Sequence, residues 1–345
     1  MSSSNLNYLN NKMLICLPDV LFFVTSIMFF YTQLHIVIEY SWFKNIELQT
    51  LCLCLLYFKI GELIHEFIEI RYNKVFSIFG AVTSICVIKF STIPIFYFLF
   101  SFIFMKIRSN ASKYSNKRVK VIGRAIGFIL SPFYNSFIYL FCAIMITVIC
   151  LLSPQLKKSD IKCGVNKIQN RDNSTVYLLM FFHHMHYFVY AYSIPIVFSQ
   201  NNILPMWAMG IIFYLGWAAY NAYEKIIKPA WNWFLMGHVL ASASLVILYT
   251  TNSIIISIFA WFMTGVGGGT VYMLHSLVYK KDIYTSKDML ISEGLGHVIG
   301  IALWGFVCIL YTANTCFLIG ALLAVIVSIV SYYAAYKAKL FNYRS

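Results

Sequence analysis

Three histidines within four residues, His183, His184 and His186, interrupt an otherwise apolar stretch of this 345-residue chain. On a helix His183 and His186 share one face, while His184 points roughly 100° away. Imidazole titrates near neutrality, so the run could relay protons or contact a polar or anionic solute. Passive polar packing is the plainer alternative. A metal could also be held, but no Asp, Glu or Cys stands at ligand spacing nearby, and no metal site is expected. A second group is Lys59, Glu62, His65, Glu66 and Glu69, with Lys59, Glu62 and Glu66 on one helical face. A Lys–Glu pair is nearly neutral and tolerable inside an apolar segment. Protonating Glu62 would break it, which would couple protons to a conformational change. A static ion pair is the competing reading, and the favoured one for Glu66 and Glu69.

The elements that must carry these groups are apolar helices. The chain is 60% hydrophobic and 11% charged, with a mean hydropathy of +0.74, whereas a soluble domain carries about 25% charged residues. This is the composition of a polytopic membrane protein, and no polar stretch is long enough to form a soluble domain. Runs able to cross a bilayer fall near 14–38, 46–67, 74–90, 91–107, 119–134, 136–153, 175–198, 204–223, 232–250, 254–278, 291–311 and 315–336. No cleaved signal peptide is expected, since the first run is long and no small-residue cleavage site follows.

Two internal echoes suggest duplication. Residues 121–133 (VIGRAIGFILSPF) recur as 294–306 (GLGHVIGIALWGF), with Gly123/Gly296, Ile126/Ile299, Gly127/Gly300, Leu130/Leu303 and Phe133/Phe306 identical at offset 173. Residues 28–40 echo 180–192 at offset 152. Two parallel repeats place a substrate site between the halves, near the bilayer midplane. The repeat separates 119–134 from 136–153 and so favours twelve spans over eleven. It also pairs Arg124 with His297, two cations that would suit a carboxylate or phosphate; Arg124 could equally snorkel to the surface.

With the N-terminus inside, 23 of the 26 Lys and Arg residues fall on cytoplasmic segments, leaving Lys44, Lys59 and Lys89. That skew follows the positive-inside rule, so the net charge of +14 reports topology and argues against nucleic acid. The expected organisation is a six-helix bundle over 1–154, a basic cytoplasmic linker over 155–174, and a second six-helix bundle over 175–345. Eight of the nine cysteines lie in or beside apolar runs and are taken as small apolar fillers. GVGGGT at Gly265–Thr270 lacks the lysine of a phosphate loop and lies in an apolar run, so close packing is expected there. No nucleotide motif and no cofactor are expected.

Two six-helix halves, a basic central loop and short outer loops resemble the major facilitator superfamily over nearly the whole chain. The resemblance implies an all-α membrane fold of twelve helices in two pseudo-symmetric bundles, lined at the centre by helices 1 and 7. On that footing Tyr31, Thr32, Gln33 and His35 of helix 1 face Tyr187 and the histidine run of helix 7. The loop after helix 2, with Gly61, Glu69, Arg71 and Lys74, partly echoes the family's G-x-x-x-D-R-x-G-R-R pattern without its central glycine. Glu224, Lys225 and Lys228 answer it in the second half. Glu69, Arg71, Glu224 and Lys225 are therefore candidate gating charges, or ordinary flanking charges.

Gly127-x-x-x-Ser131-Pro132 is similar to the motif of the family's proton-coupled exporters, with serine in place of the second glycine. The resemblance implies a secondary transporter of the inner (plasma) membrane with both termini cytoplasmic, acting as a monomer. It would be an efflux antiporter exchanging protons for a small organic molecule. A proton-coupled importer of a sugar, nucleoside or organic acid is the alternative. A multi-span enzyme such as an acyltransferase is a more distant one, and no enzymatic activity is expected. A membrane di-iron oxidase is rejected, because His35, His65, His238, His275 and His297 stand as isolated singles.

Overall fold

The computed structural model describes residues 3–41, 46–68, 75–112, 174–200, 231–271 and 287–337, with isolated positions in 122–148 and 208–219. Ten helices are defined in this set: α1 (Ser3–Ser41), α2 (Leu48–Phe67), α3 (Val75–Lys89), α4 (Pro94–Ser112), α5 (Ser174–Tyr190), α6 (Ser193–Gln200), α7 (Trp231–Thr250), α8 (Ile254–Gly269), α9 (Lys287–Leu310) and α10 (Thr315–Lys337). Each lies on an apolar run expected to span the membrane. Among the described residues, five segments are long and apolar enough to cross a bilayer: Asp19–Ser41, Leu48–Phe67, Asn232–Thr250, Asp288–Leu310 and Thr315–Tyr333. The expected spans 119–134, 136–153 and 204–223 fall on stretches of which only isolated positions are described.

Burial differs sharply among these helices. The membrane segment of α1 is 89% buried, whereas that of α10 is more hydrophobic yet only 39% buried. A helix apolar all round is either wrapped by protein or turned toward lipid. Here α1 is wrapped, packing on α4, α2 and α6. The outer helices expose Phe259, Phe306, Leu322 and Ile329. An apolar exterior of this extent suits hydrocarbon as its solvent, as in a multi-pass membrane protein.

The expected span 175–198 is two helices rather than one. Pro195 has no N–H and its ring crowds the carbonyl of residue 191, so the helix cannot run through. α5 therefore ends at Tyr190, and α6 restarts at Ser193, with Pro195 in its first turn. Within the second half α5 packs on α9 and α10, and α7 packs on α8 and α10. The halves meet mainly where α2 lies against α9. A Cβ added to Gly294 would touch Leu63, and one on Gly305 would touch Cys52, so the two helices run antiparallel and meet at both of these points.

The glycines of the first echo show the repeat in three dimensions. A Cβ on Gly123 would meet Phe23 O at 2.9 Å, and one on Gly127 would meet Ile27 O at 2.9 Å. Their counterparts Gly296 and Gly300 press in the same way on Phe181 O and Met185 O of α5, the second at 2.6 Å. Gly127 and Gly300 also face the Cβ atoms of Phe30 and Phe188. Both halves thus seat a glycine ladder on the backbone of their first helix. The partners Phe23/Phe181, Ile27/Met185 and Phe30/Phe188 stand at offset 158, not 152. The second echo is corrected accordingly: Phe- and Tyr-rich stretches match one another by composition at several registers, and only the glycine contacts select one.

Candidate functional site

α2 brings Lys59 and Glu62 onto one face, where Lys59 Nζ donates to Glu62 Oε2 at 2.5 Å. Lys59 is buried, with its ammonium 4.6 Å from the Phe188 ring of α5 and 5.9 Å from the Phe29 ring of α1. Desolvation of that ammonium is offset by one carboxylate and by aromatic faces. One turn on, His65 Nδ1 donates to Glu62 O at 2.6 Å, and its Nε2 lies 3.0 Å from Glu66 Oε1. Lys106 of α4 donates to the carbonyls of His65 and Ile68, placing a cation on the C-terminal end of α2.

Across the interface, α9 presents Glu293 and His297 one turn apart. His297 sits between two carboxylates, its Nδ1 3.9 Å from Glu62 Oε2 and its Nε2 3.8 Å from Glu293 Oε1. His184 of α5 approaches Glu293 Oε1 at 3.6 Å from the other side. Its Nδ1 contacts Met180 O at 2.9 Å, and a carbonyl only accepts, so His184 Nε2 is the nitrogen turned to the carboxylate. Two carboxylates, one from α2 and one from α9, thus face the His297 ring from opposite sides.

The remaining histidines of the run face the opposite way, as the helical spacing requires. His183 and His186 meet His238 of α7, with His183 Nδ1 2.9 Å from His238 Nε2. His183, His186 and His238 could together hold a metal ion, and so could His184, Glu293 and His297. The expectation of no metal counted only neighbours in sequence, and neither His238 nor Glu293 is one. His238 and His297, read as isolated singles, each join a cluster.

On α1, Tyr31 stacks on the His35 ring at 5.6 Å, and His35 Nε2 lies 3.3 Å from Glu39 Oε1. Gln33 is buried in the same helix. Tyr31, His35 and Glu39 thus follow one another along α1 itself. Tyr187 packs on Tyr190 and Phe213. Arg124, Glu69, Arg71, Glu224, Lys225 and the Ser131-Pro132 step lie outside the described residues.

The sequence reading missed Glu293, His238, Glu39 and Arg108. Glu293 with His297 is an i, i+4 pair within an apolar run, a signal that was available. Arg108 is one of the 23 basic residues expected on cytoplasmic segments. Its side chain is buried, with the guanidinium 5.1 Å from the Phe29 ring and 5.8 Å from Phe22. Phe29 thus carries two cations, Lys59 and Arg108. A cavity of about 380 Å³ lies elsewhere, among Phe198, Leu248, Tyr249, Asn252, Asn314 and Phe317, and holds none of the expected site residues.

No protein-family model matches the sequence, and no curated protein matches it. Solved structures do. The nucleoside transporter NupG is 12% identical with a TM-score of 0.64, covering 93% of this chain and 99% of that one. The human organic anion transporter MFSD10 is 13% identical with a TM-score of 0.61, covering 92% and 98%. At this identity the likeness is one of fold, and it extends over nearly the full length of all three chains. The all-α fold class expected from the resemblance to the major facilitator superfamily is borne out.

Proposed function

We propose that the chain is a proton-coupled secondary transporter working by alternating access, with Lys59, Glu62, Glu293 and His297 as its coupling group. The observation that carries this reading is the position of His297 between a carboxylate of each half, along the α2–α9 contact. With a proton on His297, each carboxylate attracts it, and two unit charges about 4 Å apart interact by on the order of 4 kcal/mol at an effective dielectric of 20. Without that proton, two carboxylates face each other across a neutral ring and repel. The α2–α9 contact is then weakened and the halves are free to rock apart.

The cargo is a small organic molecule. Nucleoside and organic anion carriers both share the fold, so the fold alone selects neither. Export is the proposed direction, resting on Gly127-x-x-x-Ser131-Pro132. The protein acts as a monomer in the inner (plasma) membrane with both termini cytoplasmic, and Glu69, Arg71, Glu224 and Lys225 serve as gating charges of its cytoplasmic loops. The 155–174 linker joins two bundles that move as units.

If α2 and α9 must part, tying them together stops transport. A Cβ on Gly294 would stand 3.5 Å from Leu63 Cβ, inside the range a disulfide bridges without backbone movement. Leu63→Cys with Gly294→Cys, in a background stripped of native cysteines, should lose vesicle uptake of a nucleoside or organic anion on mild oxidation and regain it on reduction. Uptake that continues in the fully cross-linked protein would refute alternating access at this interface.

A further inference from the structure

We propose that His183, His186 and His238 form a three-imidazole site for one divalent transition-metal ion of the zinc class, inside the C-terminal bundle and separate from the coupling group. The three side chains come from α5 and α7, and each is at least 96% buried. Their ring centroids form a nearly equilateral triangle: His183–His186 5.4 Å, His183–His238 5.0 Å and His186–His238 5.2 Å. A zinc ion about 2.0–2.1 Å from one nitrogen of each ring lies roughly 3.2 Å from each centroid. Tetrahedral angles then set the centroids about 5.2 Å apart. The ring centroids already stand near that spacing, and the donor nitrogens have only to turn inward. One donor atom from each residue lies within 4.8 Å of the other two, close enough for small ring rotations to complete the site.

The hydrogen bonds fix the tautomers that ligation needs. His186 Nδ1 donates to His183 O at 2.6 Å, and His238 Nδ1 donates to Phe234 O at 2.8 Å. Carbonyls only accept, so both rings carry their hydrogen on Nδ1 and keep a lone pair on Nε2. A backbone carbonyl holding the outer nitrogen is the usual support of a metal-binding histidine. His186 Nε2 is buried with no hydrogen-bond partner among the described residues. An orphaned buried acceptor is costly unless something binds it, and a metal ion would.

His183 Nδ1 donates to His238 Nε2, so His183 must shift its hydrogen to Nε2 before both nitrogens can turn to an ion. That exchange keeps the ring neutral. Three neutral imidazoles leave a fourth tetrahedral position for water or a solute. The bound ion would tie α5 to α7 one residue before His184.

The test is titration of the purified, metal-stripped protein in detergent with Co²⁺, then competition with Zn²⁺. One equivalent should give the visible d–d absorption of tetrahedral Co²⁺, and Zn²⁺ should bleach it and raise the thermal midpoint. His186→Ala and His238→Ala should each weaken binding by more than about 100-fold, beyond the 10–100-fold that loss of an outer-shell partner costs. Thermal melts and size-exclusion profiles of the apo variants establish that they are folded. His184→Gln should leave the spectrum unchanged. No stoichiometric binding by the unaltered protein, or binding that survives loss of His238, overturns the site. So does binding lost with His184 or Glu293, which would move the ion to the other cluster. Transport coupling is read separately, and neither result decides the other.

Discussion

Replacing Glu62 with Gln should stop transport whatever pH gradient is imposed. The reason is electrostatic. Unaltered, Glu62 and Glu293 both face His297: a proton there holds α2 to α9, and its loss leaves two carboxylates that repel. With Gln at position 62 that repulsion is gone and the contact stays closed at every pH. The cycle then does not turn. For a single proton exchanged per solute, each pH unit is worth about 1.4 kcal/mol, or roughly tenfold in solute ratio. Vesicles holding the unaltered protein should build a solute gradient approaching that limit, and Glu62→Gln vesicles should neither accumulate the solute nor equilibrate it. A variant that still responds to the gradient as the unaltered protein does would remove Glu62 from the coupling group.

The second large effect is structural. Gly300→Leu should destabilise the C-terminal half, because its Cβ would stand 2.6 Å from Met185 O and 2.8 Å from Phe188 Cβ. The first obstacle is backbone, which cannot rotate aside, so α9 must move off α5. Overpacking costs about 1–3 kcal/mol, and here the upper end applies. The thermal midpoint should fall by several degrees, roughly 2–10 °C, while Ile299→Leu, on the exposed neighbour, should stay near the unaltered value. Gly127→Leu should behave like Gly300→Leu, since it meets Ile27 O and Phe30 Cβ in the same way. Unequal behaviour of the two glycines would count against the ladder as a repeated device.

Much of the fold could be read from the chain. Apolar runs place every described helix, because a bilayer demands length and hydropathy that few other structures need. The Gly123/Gly127 and Gly296/Gly300 echo was legible because close helix contact tolerates nothing larger. The break after Tyr190 was legible in principle from Pro195 but was masked by continuous hydropathy. The site was only half visible. Lys59 with Glu62, and the opposite facing of His183 and His184, follow from helical spacing within one segment. Glu293 beside His184, His238 beside His183, and Arg108 against Phe29 depend on which helices meet. No local pattern encodes those meetings, and aromatic partners that make a buried Arg108 tolerable lie far away in sequence.

On the proposed mechanism, protonation of His297 sets whether α2 and α9 stay together. Spin labels at Phe67→Cys and Leu295→Cys, both exposed, in a background without native cysteines, report that spacing in liposomes without any substrate. At acid pH a protonated His297 attracts both Glu62 and Glu293 and the contact is closed. As pH rises the proton leaves, the two carboxylates repel across the neutral ring and the contact opens. A pulsed distance measurement should therefore show one short distance at acid pH and a longer population growing as pH rises. That pH response should vanish in Glu62→Gln. A distance distribution unchanged between acid and alkaline pH, or the same response in Glu62→Gln, would contradict it.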